Sequence, residues 1–220
     1  MVLLCFERSV VTRRQTSRRN EGVQILDERR LVAEVLYVEP VIRFCAVISG
    51  DALIRRRAIE TLASHWGEIF HQSDPLPFEA GGYYAGSMGE HLQKELIGFR
   101  QPCDAAELAD WKHWTNALET QVAAVESAVE PAAERPLNLD PGYITQAKLV
   151  LATTKDRDHR VYLRDGMFGE ITLTYTAKKW VHHRWTYPDY RTAAVAEFAT
   201  TCRNHLRAFL LGGEGFRRRG

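Results

Sequence analysis

A mixed α+β fold is expected for this chain, on three features of its sequence. Apolar runs of strand length alternate with amphipathic segments of helix length between residues 41 and 139. A cluster of short β-type runs surrounds Asp165-Gly166. A long apolar stripe from Thr192 to Phe209 closes the pattern. The alternation in the first half gives β-α-β-β-α-β, a ferredoxin-like order with the helices on one side of a sheet. A helix, an antiparallel β-meander and a C-terminal helix are expected to follow.

Each element has a local cause. Val41 to Ile48 is apolar except for Arg43 and stops at Ser49-Gly50, which suits a strand buried on both faces. Asp51 is a helix cap; Ile54, Ala58, Leu62 and Trp66 recur every four residues until Gly67. Glu68 to His71 reads as a short strand. Asp74-Pro75-Leu76-Pro77-Phe78 and Gly81-Gly82-Tyr83-Tyr84 read as a long irregular loop, a kind of segment that often serves function.

Leu92 to Phe99 is extended up to Pro102. Asp104 and Glu107 resemble a capping box ahead of a helix whose stripe is Leu108, Trp111, Leu118, Val122, Val125 and Val129, ended by Pro131. Pro136 to Leu139 is a short strand. Asp140-Pro141-Gly142 then signals a helix from Pro141 to about Ala152, with Ile144, Ala147 and Leu151 inward. Arg160 to Leu163 and Met167 to Tyr175 form a hairpin about Asp165-Gly166, and Trp180 to Arg184 adds a strand. A last helix starts at Thr192 and carries Val195, Phe198, Cys202, Leu206 and Phe209 on one face, up to Gly212-Gly213.

The expected organisation is a disordered Arg-rich leader over 1–39, a single α+β domain over 40–212 with a sub-boundary near 135–140, and a basic tail over 213–220. The chain has 220 residues, 45% hydrophobic and 26% charged, enough for a sizeable core. Its net charge of +1 is uneven: residues 1–30 and 217–220 carry +3 each, which leaves −5 between them. An acidic middle argues against coating duplex DNA, whereas the Arg-rich ends suit weak contact with RNA or an acidic protein. No apolar stretch reaches the roughly 18 residues of a membrane span. Cys5, Cys45, Cys103 and Cys202 form no C-x-x-C pair and the histidines lack zinc spacing, so no metal site is expected and a reducing cytoplasm is.

Polar chemistry is expected at the hairpin. A two-residue loop pairs Leu163 with Phe168, Val161 with Glu170 and His159 with Thr172. His159, Glu170, Thr172 and Thr174 then share one face, and Tyr162, Met167, Ile171, Leu173 and Tyr175 form the core face. His159 and Glu170 become neighbours roughly 5 to 8 Å apart, close enough for acid or base work. Arg160 points towards the apolar side and needs an anion there, supplied by Asp140, Asp156 or Asp189, or by a bound phosphate or carboxylate. Lys148, Lys155, Asp156, Arg160, Asp140 and Tyr190 are the candidate ligand-binding residues, walled by the Gly81-Gly82 loop and by Trp185-Thr186-Tyr187-Pro188-Asp189-Tyr190. Leu149 to Asp156 looks like a guanine-recognition element, but Arg157 follows Asp156, and the chain has no G-x-x-x-x-G-K-[ST] to cradle phosphates.

Six ordered motifs carry a family resemblance: Pro75-Leu76-Pro77-Phe78; Tyr83-Tyr84 with Met88-Gly89; Asn138-Leu139-Asp140-Pro141-Gly142-Tyr143; Ala147 to Ala152 with Thr154-Lys155-Asp156; His159 to Leu163; and Trp185 to Tyr190. Over roughly residues 40 to 200 the chain resembles domain-of-unknown-function family 4416 of bacteria and archaea. The resemblance implies a small cytosolic prokaryotic protein without an assigned biochemical role, in a family that carries a GTP-binding label. Three functions are consistent with the residues. The first is a module that binds a nucleotide or other phosphorylated metabolite, with no cofactor specified. The second is an enzyme that uses His159 and Glu170 on such a substrate, and the third is a protein-interaction scaffold.

Overall fold

Residues 38–79, 85–128 and 133–212 are described by the computed structural model. Most of the expected leader, the Gly81-Gly82 and Tyr83-Tyr84 part of the loop, Val129, Pro131 and the basic tail lie outside the described residues.

The centre is β1 (Val41–Ser49), buried throughout except at half-buried Arg43. Its apolar run has two faces to fill. Val41, Cys45 and Val47 pack under α1 (Ala52–Trp66) and, further along the chain, α3 (Leu108–Glu126). Ile42, Phe44 and Ala46 pack under the C-terminal helix α4 (Ala193–Gly212) through Phe198, Cys202 and Leu206. Arg43 fits among these apolar neighbours because its guanidinium lies 4.7 Å from the Trp66 ring centroid and 5.1 Å from that of Trp111. Asp51 caps α1 by accepting from the Leu53 and Ile54 amides at 2.6 and 3.3 Å, and Gly67 ends it at φ +96°.

The remaining elements are β2 (Ile69–Gln72), β3 (Leu76–Pro77), the short α2 (Ala85–Met88), β4 (Gln93–Cys103), β5 (Asn138–Ile144), β6 (Lys148–Thr153), β7 (Arg160–Arg164), β8 (Met167–Thr176) and β9 (Lys179–His182). Among the described residues one antiparallel sheet runs β2-β4-β1-β5-β6-β8-β7, with β3 added on β4 and β9 on β8. The α+β class holds. No helix among the described residues is long and apolar enough to cross a membrane.

Three local expectations are corrected. The helix expected over Pro141 to Ala152 is the hairpin β5–β6, turned at Thr145, whose hydroxyl accepts from the Ala147 and Lys148 amides at 3.0 and 2.8 Å. Leu149 to Ala152 is a continuous apolar run buried on both faces, and a fully buried strand shows no periodicity that separates it from a helix. Pro102 continues β4, where it pairs with Ile42, and does not end it.

The third correction concerns the β7–β8 hairpin. Its turn is as expected: Asp165 and Gly166 have φ +50° and +76°, and Arg164 pairs with Met167. Leu163 then bulges, so Tyr162 pairs with Phe168 and Arg160 with Glu170, one position away from the expected register. On the other side of β8, Leu173 pairs with Leu149 and Ile171 with Val150, which leaves Thr172 as an extra residue. These irregularities upset strict alternation. Glu170 and Thr172 are buried, Tyr162 and Ile171 are exposed, and only Met167 and Leu173 keep the expected inward position.

Candidate functional site

The site arises where two neighbouring strands part. β5 and β6 pair only between Gly142–Ile144 and Leu149–Leu151. Before that, Asn138 to Pro141 bonds to β1 alone; beyond it, Ala152 and Thr153 bond to β8 alone. Pro141 is tolerated in β5 because β6 has already left that side of the strand. The fork opens a cleft of about 550 Å³.

One wall is tied together by α3. Lys112, 6% exposed, donates to the Leu139 carbonyl at 2.7 Å and to Asp140 Oδ1 at 3.5 Å. Asn138 Nδ2 donates to Asp140 Oδ2 at 2.9 Å. Arg135 donates to Glu119 at 2.8 Å and also to the Asn138 side-chain oxygen, while Glu119 accepts from the Leu139 amide at 2.8 Å. Burial pushes the Glu119 carboxyl up, against the pull of Lys112 and Arg135.

The opposite wall is the Arg160–Glu170 pair. Arg160 Nε donates to Glu170 Oε2 at 2.8 Å, its Nη1 to the Lys155 carbonyl at 2.8 Å and its Nη2 to the Tyr187 hydroxyl at 3.1 Å. His159 Nε2 lies 3.1 Å from the same Glu170 oxygen, its Nδ1 lies 2.8 Å from Asp158, and its ring stacks on Trp185 at 5.1 Å. Arg184 and His159 hold exposed Asp158 down to about 2.

A 3-10 turn, Pro188–Tyr190, closes the third side. Lys94 Nζ reaches Asp189 Oδ2 at 2.7 Å and lies 4.0 Å from the Tyr190 ring centroid. Burial lowers the Lys94 ammonium from its ordinary range, opposed by Asp189. Tyr190 itself is 3% exposed, and its hydroxyl has no hydrogen-bond partner among the described residues. Burial, then nearby Asp140 and Asp189, push this phenol well above its ordinary value, so it stays neutral and able to donate.

Of the residues expected from sequence, Asp140, Lys155, Arg160, Glu170 and Tyr190 line the cleft. Lys148 does not: it pairs with Thr174 at the opposite end of β6. Asp156 and His159 lie outside the lining, His159 behind Glu170. The partner of Arg160 is Glu170, and not Asp140, Asp156 or Asp189. Sequence reasoning missed Lys112, Arg135, Asn138 and the depth of Lys94. Lys112 left a signal, since it falls four residues after Leu108 on a buried helix stripe, where a charge needs a partner. Among the described residues no group of three or more His, Cys, Asp or Glu side chains could hold a metal ion.

A family model described as Domain of unknown function (DUF4416) matches residues 39–206. The chain belongs to this family. The matched span contains every strand of the DUF4416 sheet, the fork between β5 and β6 and most of α4. No match was found among curated proteins, and none among solved structures.

Proposed function

We propose that this DUF4416 protein binds a small anionic metabolite, a nucleotide or another phosphorylated compound, in the cleft between β5 and β6. The observation that carries the reading is the cleft itself: about 550 Å³, formed by strand divergence, and lined in part by Tyr190, whose buried hydroxyl has no partner among the described residues. Ligand sites commonly occupy roughly 300 to 1,000 Å³ and place a few convergent polar groups among apolar ones. Exposed Lys155 and Arg157 at the end of β6 provide positive charge at the rim for the anionic group. Asp140 orders the floor, and Arg160 holds the far wall in place. The three described cysteines are unpaired, in keeping with a reducing bacterial cytoplasm.

A second reading, acid–base chemistry by His159 and Glu170, is favoured by their 3.1 Å contact. It ranks lower because both ring nitrogens of His159 already have carboxylate neighbours and the ring lies outside the lining.

The test is thermal unfolding of the full chain against a panel of nucleotides and phosphorylated metabolites. A bound ligand at 100 times its Kd stabilises by about 2.7 kcal/mol, and Arg157→Ala should reduce that shift. A panel with no stabilising member would remove the binding reading and leave the scaffold. If a member binds, His159→Ala separates the first two readings: turnover lost in an enzyme, binding retained in a module.

A further inference from the structure

The cations and the carboxylates of the cleft are not equally occupied. Arg160 uses Nε, Nη1 and Nη2 on Glu170, the Lys155 carbonyl and Tyr187. Lys112 is held by the Leu139 carbonyl, Asp140 and Glu119, and Lys94 by the side chain and carbonyl of Asp189. Asp140, by contrast, keeps 33% of its side chain exposed after Asn138 and Lys112 have fixed its orientation. Tyr190 lines the same cleft as Asp140, Asp189 and Glu170, and its hydroxyl is bonded to none of them. The floor therefore offers acceptors and one two-way hydroxyl, while the exposed charges of Lys155 and Arg157 stand at the rim.

We propose that the floor binds a hydroxyl group, so that the ligand is a phosphorylated sugar or polyol, the ribose phosphate of a nucleotide included. This rests on the reading of the cleft as an anion-binding site and names the chemistry of its inner end. A hydroxyl donates to Asp140 and accepts from the Tyr190 O–H, which satisfies both. An apolar group there would strand two polar groups away from water. A second phosphate would face the partly exposed carboxylate of Asp140. An ammonium would crowd Lys112, whose Nζ is already 3.5 Å from Asp140. A neutral hydroxyl, which both donates and accepts, fits these neighbours.

The experiment is calorimetric titration of the full chain with ribose 5-phosphate, with propyl phosphate, which has the anion but no free hydroxyl, and with inorganic phosphate. Ribose 5-phosphate should bind at least about tenfold more tightly than propyl phosphate, because a site built around a hydroxyl discriminates against its absence. Tyr190→Phe and Asp140→Asn should each bring the ratio of ribose 5-phosphate to propyl phosphate affinity close to one. Tyr190→Phe deletes a hydroxyl that bonds to nothing in the fold, so it tests recognition without undoing the structure. Equal binding of ribose 5-phosphate and propyl phosphate, or a preference that survives both substitutions, would overturn the hydroxyl site and leave anion binding intact. Silence from these three probes and from the whole nucleotide and metabolite panel would overturn both.

Discussion

Arg160 and Glu170 stand directly opposite each other on β7 and β8, joined by a 2.8 Å Nε–Oε2 bond with 4% and 2% of their side chains exposed. The same carboxylate receives Thr172 Oγ1 at 3.3 Å and touches His159. Removing one partner leaves the other as a buried charge, which costs about 3–5 kcal/mol. Glu170→Ala should therefore lower the urea midpoint sharply. The double variant Arg160→Met with Glu170→Leu should recover much of that loss, since no charge is stranded. A Glu170→Ala variant as stable as the parent would show that water, and not Glu170, satisfies Arg160.

Gly142 marks the last pairing of β5 with β6 before the fork. A Cβ here would run into the Val150 carbonyl oxygen and lie 2.7 Å from the Phe44 ring. The first obstacle is backbone in the sheet centre and the second a fully buried side chain, so neither yields cheaply. Gly142→Ala should destabilise by about 1–3 kcal/mol, as overpacking does. It should also weaken any ligand of the cleft, because strain at this position spreads the strands that form its walls. Parallel measurement of the urea midpoint and of ligand-induced stabilisation checks both effects.

The legible parts of this molecule are those fixed by local chemistry. Asp51, Gly67, Asp165-Gly166 and Thr192 announce caps and a turn that the chain makes where the sequence places them. Pro141-Gly142 misleads for the same reason: Asp-Pro-Gly is a good helix start in isolation, but Gly142 is a glycine because Phe44 and Val150 leave no room for a side chain. That requirement is tertiary and carries no local mark. The site was half legible. Asp140, Lys155, Arg160, Glu170 and Tyr190 meet around the cleft, yet the expected register was wrong by one at Leu163, and bulges have no dependable sequence signature. Lys112 and Arg135 come from α3 and the segment after it, and only the strand order brings them to Asp140.

Tyr190 offers a test that separates a functional hydroxyl from a structural one. A buried polar group without a partner costs about 1–3 kcal/mol relative to an apolar group of the same shape. Tyr190→Phe keeps the ring against Lys94 and discards only the unpartnered oxygen. The ligand-free variant should be more stable than the parent by about 1 kcal/mol in urea unfolding. A destabilised variant would mean that the hydroxyl is bonded in solution and serves the fold.

Stability at alkaline pH should follow the buried thiols. Burial raises Cys103 from its ordinary 9.0 to about 11, against the pull of Arg43, and raises Cys45 and Cys202 as well. Between pH 9 and 11 the unfolded chain has released its Cys103 proton while the folded chain still holds it, so the folded state binds more protons and stability falls as pH rises. For Cys103 alone the loss approaches roughly 2–3 kcal/mol by pH 11. Lys94 works in the opposite direction: its lowered value makes the folded chain lose a proton first, so its contribution rises towards pH 10.5. Cys45, Cys202 and Tyr190 act in the same direction as Cys103, and single variants separate the parts played by Cys103 and Lys94. Cys103→Ala should flatten the decline in urea midpoint between pH 9 and 11, and Lys94→Met should steepen it. Under native conditions at pH 8, Cys45, Cys103 and Cys202 should stay unmodified by iodoacetamide, because their thiols remain protonated. Rapid labelling of Cys103 in the folded chain would show that its thiolate is accessible and would remove its part in the alkaline decline.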